Sequence, residues 1–394
     1  MIPYGRQEVT EADIAAVLQV LRSDYLTQGA TVPRLEQAIA AHVGARHAVA
    51  ANSATSVLHI ACLALGLRPG ELLWTVPNTF VASANCARYC GAEVDFVDID
   101  PHSWNLSVPA LRAKLTQAKR AGRLPKVVVP VHFGGQPTEQ EAIWELAAEY
   151  GFRVLEDASH AVGAAHNGEP MGSCRWSDIT VFSFHPVKII TTGEGGMALT
   201  NDSTLAESMA MLRSHGITRD PARMQGWDAS DTDAGRDPAA WYYEQQMLGF
   251  NYRMTDLQAA LGLSQLDRLD DYVRIRNALA QRYDALLREL PLQLPTVLAG
   301  NRSSFHLYVV RLKRAGAKSH REVFDALRRH GIGVNLHYTP VHLQPYYRRL
   351  GFQPGYCPEA EMYAREAITL PLYPLLRAEE QQTVVDSLVE ILRS

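Results

Sequence analysis

Between about residues 47 and 184, short apolar runs alternate with helix-period stretches, and this alternation constrains the fold more than any other feature. The runs Ala48–Ala51, Leu72–Val76, Val94–Ile99, Lys126–Phe133, Arg153–Asp157 and Ile179–Phe184 have the length and composition of buried strands. Helical patterns near 54–66, 79–90, 107–120 and 137–150 separate them and suit crossover connections. Strand and helix repeated in this way predict a mostly parallel sheet covered by helices on both faces. Ligands of such sheets bind beyond the carboxyl ends of the strands, so the residues that follow each run carry the functional question.

Residues 11–22 and 34–43 predict amphipathic helices ahead of the sheet. The segment 217–246 breaks the alternation with Asp-Pro and Gly-containing pieces; an excursion of that length suits a lid or an insertion. Helix resumes over 255–290, with a bend at Asp267–Asp271. A composition shift at Pro291–Arg302 marks a second unit. In it, Phe305–Leu312 and Val334–His337 predict strands, and 318–330 and 377–393 predict helices. The expected division is an N-terminal arm and large domain over 1–290 and a small α/β domain over 291–394.

A net charge of −4 gives no reason to expect nucleic acid or an anionic membrane as partner, and no apolar run has the length of a membrane span. Met1–Arg6 lacks the basic and apolar regions of a signal peptide. The five cysteines are few, odd in number and scattered, which suits a reducing cytoplasm. Cys86 and Cys90 lie one helical turn apart and could form half of a metal site. No second pair stands at finger-like spacing, which favours core thiols, and no metal is expected.

The chemistry concentrates in Ser183–Gly196, where Lys188 sits among β-branched and apolar neighbours ahead of a glycine cluster. An ammonium in such surroundings is costly to keep charged, so its pKa should fall and its free amine become available to a carbonyl carbon. A snorkelling lysine on an edge strand is the alternative. Pyridoxal phosphate requires a lysine, a carboxylate for its ring nitrogen, a phosphate cradle and a ring-face contact, and each has a candidate. Asp157 ends an apolar strand and can hold the pyridine nitrogen protonated, or serve as a helix cap. Asn52–Ser56 offers small residues at a helix start, where amides and dipole favour a phosphate; capping alone would also explain them. Ser183 can add a hydroxyl, and Phe80 can stack on the ring or belong to the core.

These motifs resemble the DegT/DnrJ/EryC1/StrS family of sugar aminotransferases. Leu26–Gly29, Asn52–Ser56, Glu156–His160, Ser183–Gly196, Arg213–Gly216 and Gly249–Met254 carry the resemblance, which spans essentially the whole chain. Within the family, Ser183–Lys188, Asn52–Ser56 and Val334–His342 are similar to the UDP-4-amino-4,6-dideoxy-N-acetyl-β-L-altrosamine transaminases of pseudaminic acid biosynthesis.

The resemblance implies the type I (aspartate aminotransferase-like) fold and pyridoxal 5'-phosphate as cofactor. It makes Lys188 the Schiff-base lysine and proton carrier, pairs Asp157 with the ring nitrogen, and sets His160 near the phenolic oxygen. Phe80 would stack on the ring, and Ala54, Thr55 and Ser183 would hold the phosphate. Asn251 would reach the phosphate of a neighbouring subunit, which implies a homodimer with shared sites. Tyr4, Asp24, Tyr25, Leu26, Thr27, Asn335, Leu336, His337 and Tyr338 match positions lining the nucleotide-sugar site. His185 is a further candidate for substrate contact, and Arg253 for the amino donor's carboxylates.

The implied reaction moves the amino group of L-glutamate, which leaves as 2-oxoglutarate, to C4 of a UDP-linked 4-keto-6-deoxy-N-acetyl hexose. Another keto nucleotide sugar, aminated at C3 or C4, is the alternative. A family dehydratase would carry histidine in place of Lys188, and a non-catalytic nucleotide-sugar sensor would not need the lysine at all.

Overall fold

The five anticipated runs at His47–Ala51 (β1), Leu72–Thr75 (β2), Glu93–Phe96 (β3), Arg153–Asp157 (β5) and Ile179–Ser183 (β6) are strands. A sixth, Val127–Val129 (β4), is shorter than the Lys126–Phe133 run suggests. Pro130 has no N–H for the ladder, so the strand breaks there; pairing returns only as a single bridge between Val131 and Asp157. β3 likewise stops before Ile99, because the Asp98 carboxylate turns back to bind the amides of Ile99, Glu359 and Ala360.

A seventh strand, Gly196–Thr200 (β7), was hidden by the glycines that precede it. The sheet order is β1–β7–β6–β5–β4–β2–β3. β7 runs antiparallel to both of its neighbours, while β3, β2, β4, β5 and β6 pair in parallel. Helices cover both faces, and the architecture is that of the type I aminotransferase fold. This computed structural model describes residues 1–226, 241–313 and 318–393.

The helices that position the site start where the sequence supplies caps. Ser53 caps Ala54–Ala64 by accepting from the Ser56 amide at 3.1 Å, an interaction worth about 1 kcal/mol. That helix buries Val57, Leu58, Ile60, Ala61 and Cys62, so it lies against the sheet on an almost wholly apolar face. Cys86 and Cys90 are buried in the same core, on and just after the neighbouring helix Ala82–Tyr89. The anticipated bend near Asp267 separates Asp256–Leu266 from Leu269–Leu287.

In the C-terminal part, Leu292–Gln293, Tyr308–Leu312 and Ala367–Leu370 form an antiparallel sheet. His320–Arg329, Ala378–Arg393 and the second half of Leu269–Leu287 pack with it, through Val323, Leu327, Val384, Leu388, Tyr283 and Leu287. The run Val334–His337 is not a strand: only Asn335 bridges to Thr369. His337 Nδ1 also holds to the Thr369 strand, at Oγ1 (2.8 Å), but the chain then leaves it, the Tyr338 amide donating to Asn78 Oδ1 at 3.2 Å. In the 217–246 excursion, Ile217–Thr218 pairs with Glu244–Gln245; residues 227–240 lie outside the described residues. Among the described residues, no helix is long and apolar enough to cross a membrane.

Candidate active site

The carboxyl ends of β1, β2, β5 and β6 open into a cavity of about 870 Å³. Lys188, Asp157, Ser183, Ala54, Thr55, Phe80, His160, His185, Tyr4, His337 and Tyr338 all line it, so residues spread over more than 300 positions of sequence converge on one space.

Lys188 stands in the loop between β6 and β7. Buried Phe184, Ile189 and Ile190 anchor that loop, and the Lys188 amide turns back to the His185 carbonyl at 2.9 Å. Burial lowers the lysine pKa from 10.5 to about 8, against the opposing pull of the Asp157 charge. Desolvation therefore wins, and the free amine becomes available at a lower pH than an exposed lysine would need.

Asp157 is the last residue of β5 and is 5% exposed. Ser83 Oγ donates to its Oδ2 at 2.6 Å, and the Ser159 amide donates to its Oδ1 at 3.1 Å. Ser83 is in turn bonded to Thr79 Oγ1 at 2.8 Å, so the carboxylate is fixed from two sides.

At the start of the helix Ala54–Ala64, Ser53 and Asn52 are occupied with Ser56. The amides of Ala54 and Thr55 have no acceptor among the described residues and belong to the cavity wall. Two unmatched N–H groups at a helix N-terminus, with the dipole behind them, form an anion seat. Gly196 makes this geometry attainable: a Cβ there would lie 2.6 Å from Ala54 Cα and 2.8 Å from the Ser53 carbonyl carbon. Only glycine lets the head of β7 approach the helix start so closely.

His160 is buried and accepts from the Gly134 amide at Nδ1. Its proton therefore sits on Nε2, 3.1 Å from Tyr338 Oη. Burial, then the Lys188 charge, holds His160 well below the ordinary histidine range and lowers His337 to about 3. Burial first, and Asp157 second, keeps the Tyr338 hydroxyl protonated. Phe80 is 59% exposed, so it stands on the cavity rim rather than in the core. Tyr4 faces the His337 ring at 5.4 Å between centroids, and burial raises the pKa of its hydroxyl against the pull of Asn335.

Other sequence candidates lie outside the cavity wall. Asp24, Tyr25, Leu26 and Thr27 form an exposed strip, tied down by a bridge between Thr27 and Thr255 and by the Asp256 amide bonding the Leu26 carbonyl. Asn335 stands behind Tyr4, and Leu336 packs against the large core. Asn251 is exposed and bridges to Ser214, and Arg253 follows two residues later without reaching the cavity. The sequence reading missed Ser83, Ser159, Glu194, Gln258 and His306. The last three also line the wall: Glu194 stands inside the Ser183–Gly196 motif without having been singled out, Gln258 and His306 come from segments that carried no motif, and a histidine second in the otherwise apolar Phe305–Leu312 run was the one hint of His306.

The DegT/DnrJ/EryC1/StrS aminotransferase family matches residues 7–389. The chain belongs to that family. The spore coat polysaccharide biosynthesis protein SpsC of Bacillus subtilis (strain 168) is 37% identical over 397 residues, covering 100% of this chain and 97% of that protein. PseC of Helicobacter pylori, an aminotransferase involved in the biosynthesis of pseudoaminic acid, superposes with a TM-score of 0.88. It is 29% identical, with 100% and 99% of the two chains covered. The putative sugar aminotransferase Spr1654 of Streptococcus pneumoniae, in its PLP form, gives a TM-score of 0.88 at 26% identity, covering 100% and 98%; it is also known in a PMP form.

As a DegT/DnrJ/EryC1/StrS sugar aminotransferase the protein is a transaminase, and the family depends on pyridoxal phosphate. The residues present fit that group. The two unmatched amides beside Ser183 suit its phosphate, the doubly bonded Asp157 carboxylate suits a ring nitrogen, and Lys188 has an amine that is easily freed.

Proposed function

We propose that the protein transfers the amino group of L-glutamate to C4 of a UDP-linked 4-keto-6-deoxy-N-acetyl hexose. The observation that carries the reading is the convergence of Lys188, Asp157, Ser183 and the free Ala54 and Thr55 amides on one cavity. When bound, pyridoxal phosphate supplies an aldehyde carbon and an electron-accepting ring.

The chain's own residues do the rest. Lys188 is the attachment point and, once released, carries the proton to and from the substrate carbon on a single face. Its pKa near 8 suits a base that must also return the proton at neutral pH. Asp157 keeps the ring nitrogen protonated, and Ser83 keeps Asp157 in register. Ala54, Thr55 and Ser183 would hold the phosphate, Phe80 would flank the ring, and the neutral His160, bonded to the Gly134 amide and Tyr338 Oη, would lie near its phenolic oxygen. Tyr4, His185, His337 and Tyr338 receive the sugar, with Asp24–Thr27 and Asn335–Leu336 at the outer part of the same site.

The similarity to PseC supports the 4-keto sugar of the pseudaminic acid route. The higher identity to SpsC favours a second reading, another keto nucleotide sugar destined for a surface polysaccharide. A homodimer belongs to the proposal: Asn251 is exposed and off its own cavity wall, which leaves it available to the cavity of a second copy, and Arg253 would meet the donor carboxylates there. So do a cytoplasmic location, which the five free buried cysteines suit, and a small domain over 291–394.

The test is direct. L-glutamate should bleach the yellow protein, and a panel of keto nucleotide sugars should restore the colour, with the aminated product identified by mass spectrometry. Colour that glutamate leaves untouched refutes the transaminase reading; restoration only by 3-keto or dTDP-linked sugars refutes the substrate.

A further inference from the structure

The segment Ser303–Leu307 is clamped from every side. Asn277 Nδ2 donates to the Ser303 carbonyl at 2.9 Å. The Ser304 and Leu307 amides bond the carbonyls of Gly135 and Gly134, and Ser304 Oγ bonds the His160 carbonyl. Arg276 donates through Nη1 to the carbonyls of Phe305 (3.2 Å), His306 (3.3 Å) and Leu372 (2.9 Å).

Two features of this clamp are costly. Phe305 has a φ of 46°, a left-handed conformation that bulky side chains rarely adopt. Arg276 is 2% exposed and has no carboxylate at ion-pair distance among the described residues, and its Nε is unpaired. Backbone strain and a buried cation answered by carbonyls rather than a carboxylate meet at one point, around one side chain.

That side chain is His306. It is 5% exposed, it lines the cavity, and its ring lies 4.5 Å from that of His160. Its Nδ1 is walled off without a hydrogen-bond partner and Nε2 is the nitrogen left to the cavity; a buried orphan N–H is rarer than a buried orphan acceptor, which favours the tautomer with its proton on Nε2. Burial, then the charge of Lys188, keeps the imidazole neutral.

We propose that His306 is a substrate-contacting residue whose Nε2–H donates a hydrogen bond to an uncharged oxygen, hydroxyl or carbonyl, of the keto sugar bound beside Lys188. The proposal rests on the sugar aminotransferase reading above. A carboxylate partner is disfavoured, because it would draw a second proton onto a ring that burial, Lys188 and Arg276 all hold neutral. The effect of His306 therefore falls on the sugar half of the reaction and not on the amino-donor half.

The experiment uses the cofactor-loaded protein with two variants. His306→Leu fills the space without a donor, and His306→Gln restores an N–H near Nε2. Stopped-flow absorbance reads the bleaching by L-glutamate and the recovery by the keto nucleotide sugar separately, and calorimetry reads the affinity for the UDP-linked amino sugar. The Leu variant should bleach within about twofold of the parent, yet lose about tenfold in the sugar half-reaction and in product affinity. The Gln variant should regain most of both.

Equal losses in the two halves, no loss at all, or equal behaviour of Leu and Gln would overturn the assignment while the parent still turns over. A parent that glutamate fails to bleach overturns the proposed function, and this inference falls with it.

Discussion

Replacing Lys188 by methionine should make the cofactor-free protein more stable, although it removes the lysine proposed to hold the cofactor. Burial lowers the Lys188 pKa from 10.5 to about 8 even though Asp157 attracts the charge. At about 1.4 kcal/mol per tenfold change in protonation, that gap is a penalty of about 3 kcal/mol on the folded ammonium; water reaching the side chain through the cavity reduces it toward about 2 kcal/mol.

The sign follows from proton counting. Below pH 8 the lysine is protonated in folded and unfolded chains alike, and the folded state carries the whole penalty. Between pH 8 and 10.5 the unfolded chain retains a proton that the folded chain has lost, so stability rises with pH; above 10.5 the penalty is gone. Methionine has nearly the same length and no charge. Lys188→Met should therefore gain about 2–3 kcal/mol at pH 7, roughly 3 °C in Tm for a chain of this size, and the gain should vanish by pH 10.5.

The assay is chemical and thermal denaturation of parent and variant, both stripped of cofactor, at equal protein concentration from pH 7 to 10.5. A variant no more stable than the parent at pH 7, or a difference that does not change with pH, refutes the reasoning. Borohydride reduction of loaded parent protein, followed by peptide mapping, should locate the label at residue 188.

Three further outcomes follow from the same site. Ser83→Ala removes the 2.6 Å donor to Asp157; cofactor affinity, read by fluorescence titration, should fall about tenfold, with Tm changed little, and unchanged affinity would show that Ser83 does not hold the carboxylate. In Gly196→Ala the new methyl meets Ala54 Cα at 2.6 Å, and backbone cannot yield as a flexible side chain can. The helix start must shift, so the purified variant should lose its colour on gel filtration, whereas retention of colour refutes the argument for glycine there. Asn251→Ala should weaken cofactor retention, and mixing Asn251→Ala with Lys188→Ala chains should recover activity that neither has alone if each cavity draws Asn251 from the other copy; no recovery rules out a shared site.

What could be seen in the sequence, and what could not, divides along one physical line. β5, β6 and the helix Ala54–Ala64 were legible because their information is local: an apolar run of strand length, or a serine cap ahead of an apolar face. Lys188, Asp157, Ser183 and the Ala54–Thr55 amides were legible for the same reason, since each follows directly from a strand end where such sheets bind ligands. The antiparallel β7 was not, because glycines at its head erase the period and its direction is set by the length of the Lys188 loop. The supposed strand Val334–His337 failed in the opposite sense: its local pattern is strand-like, but it keeps a single bridge to Thr369, and the following Tyr338 amide is bonded to Asn78 instead of a strand neighbour.

Ser83 and His306 belong to a third kind. A serine in the first turn of a helix is everywhere in proteins, and what ties Ser83 to the site is an aspartate 74 residues away. His306 owes its position to Arg276, to Asn277 and to the loop at Gly134–Gly135, none of which has a motif. Groups proposed for the bond-making chemistry sit where the chain's own geometry puts them and leave a local trace; groups proposed to aim them are chosen by tertiary contact. Variants of the second set should accordingly change affinity and selectivity between half-reactions, and variants of the first should abolish turnover.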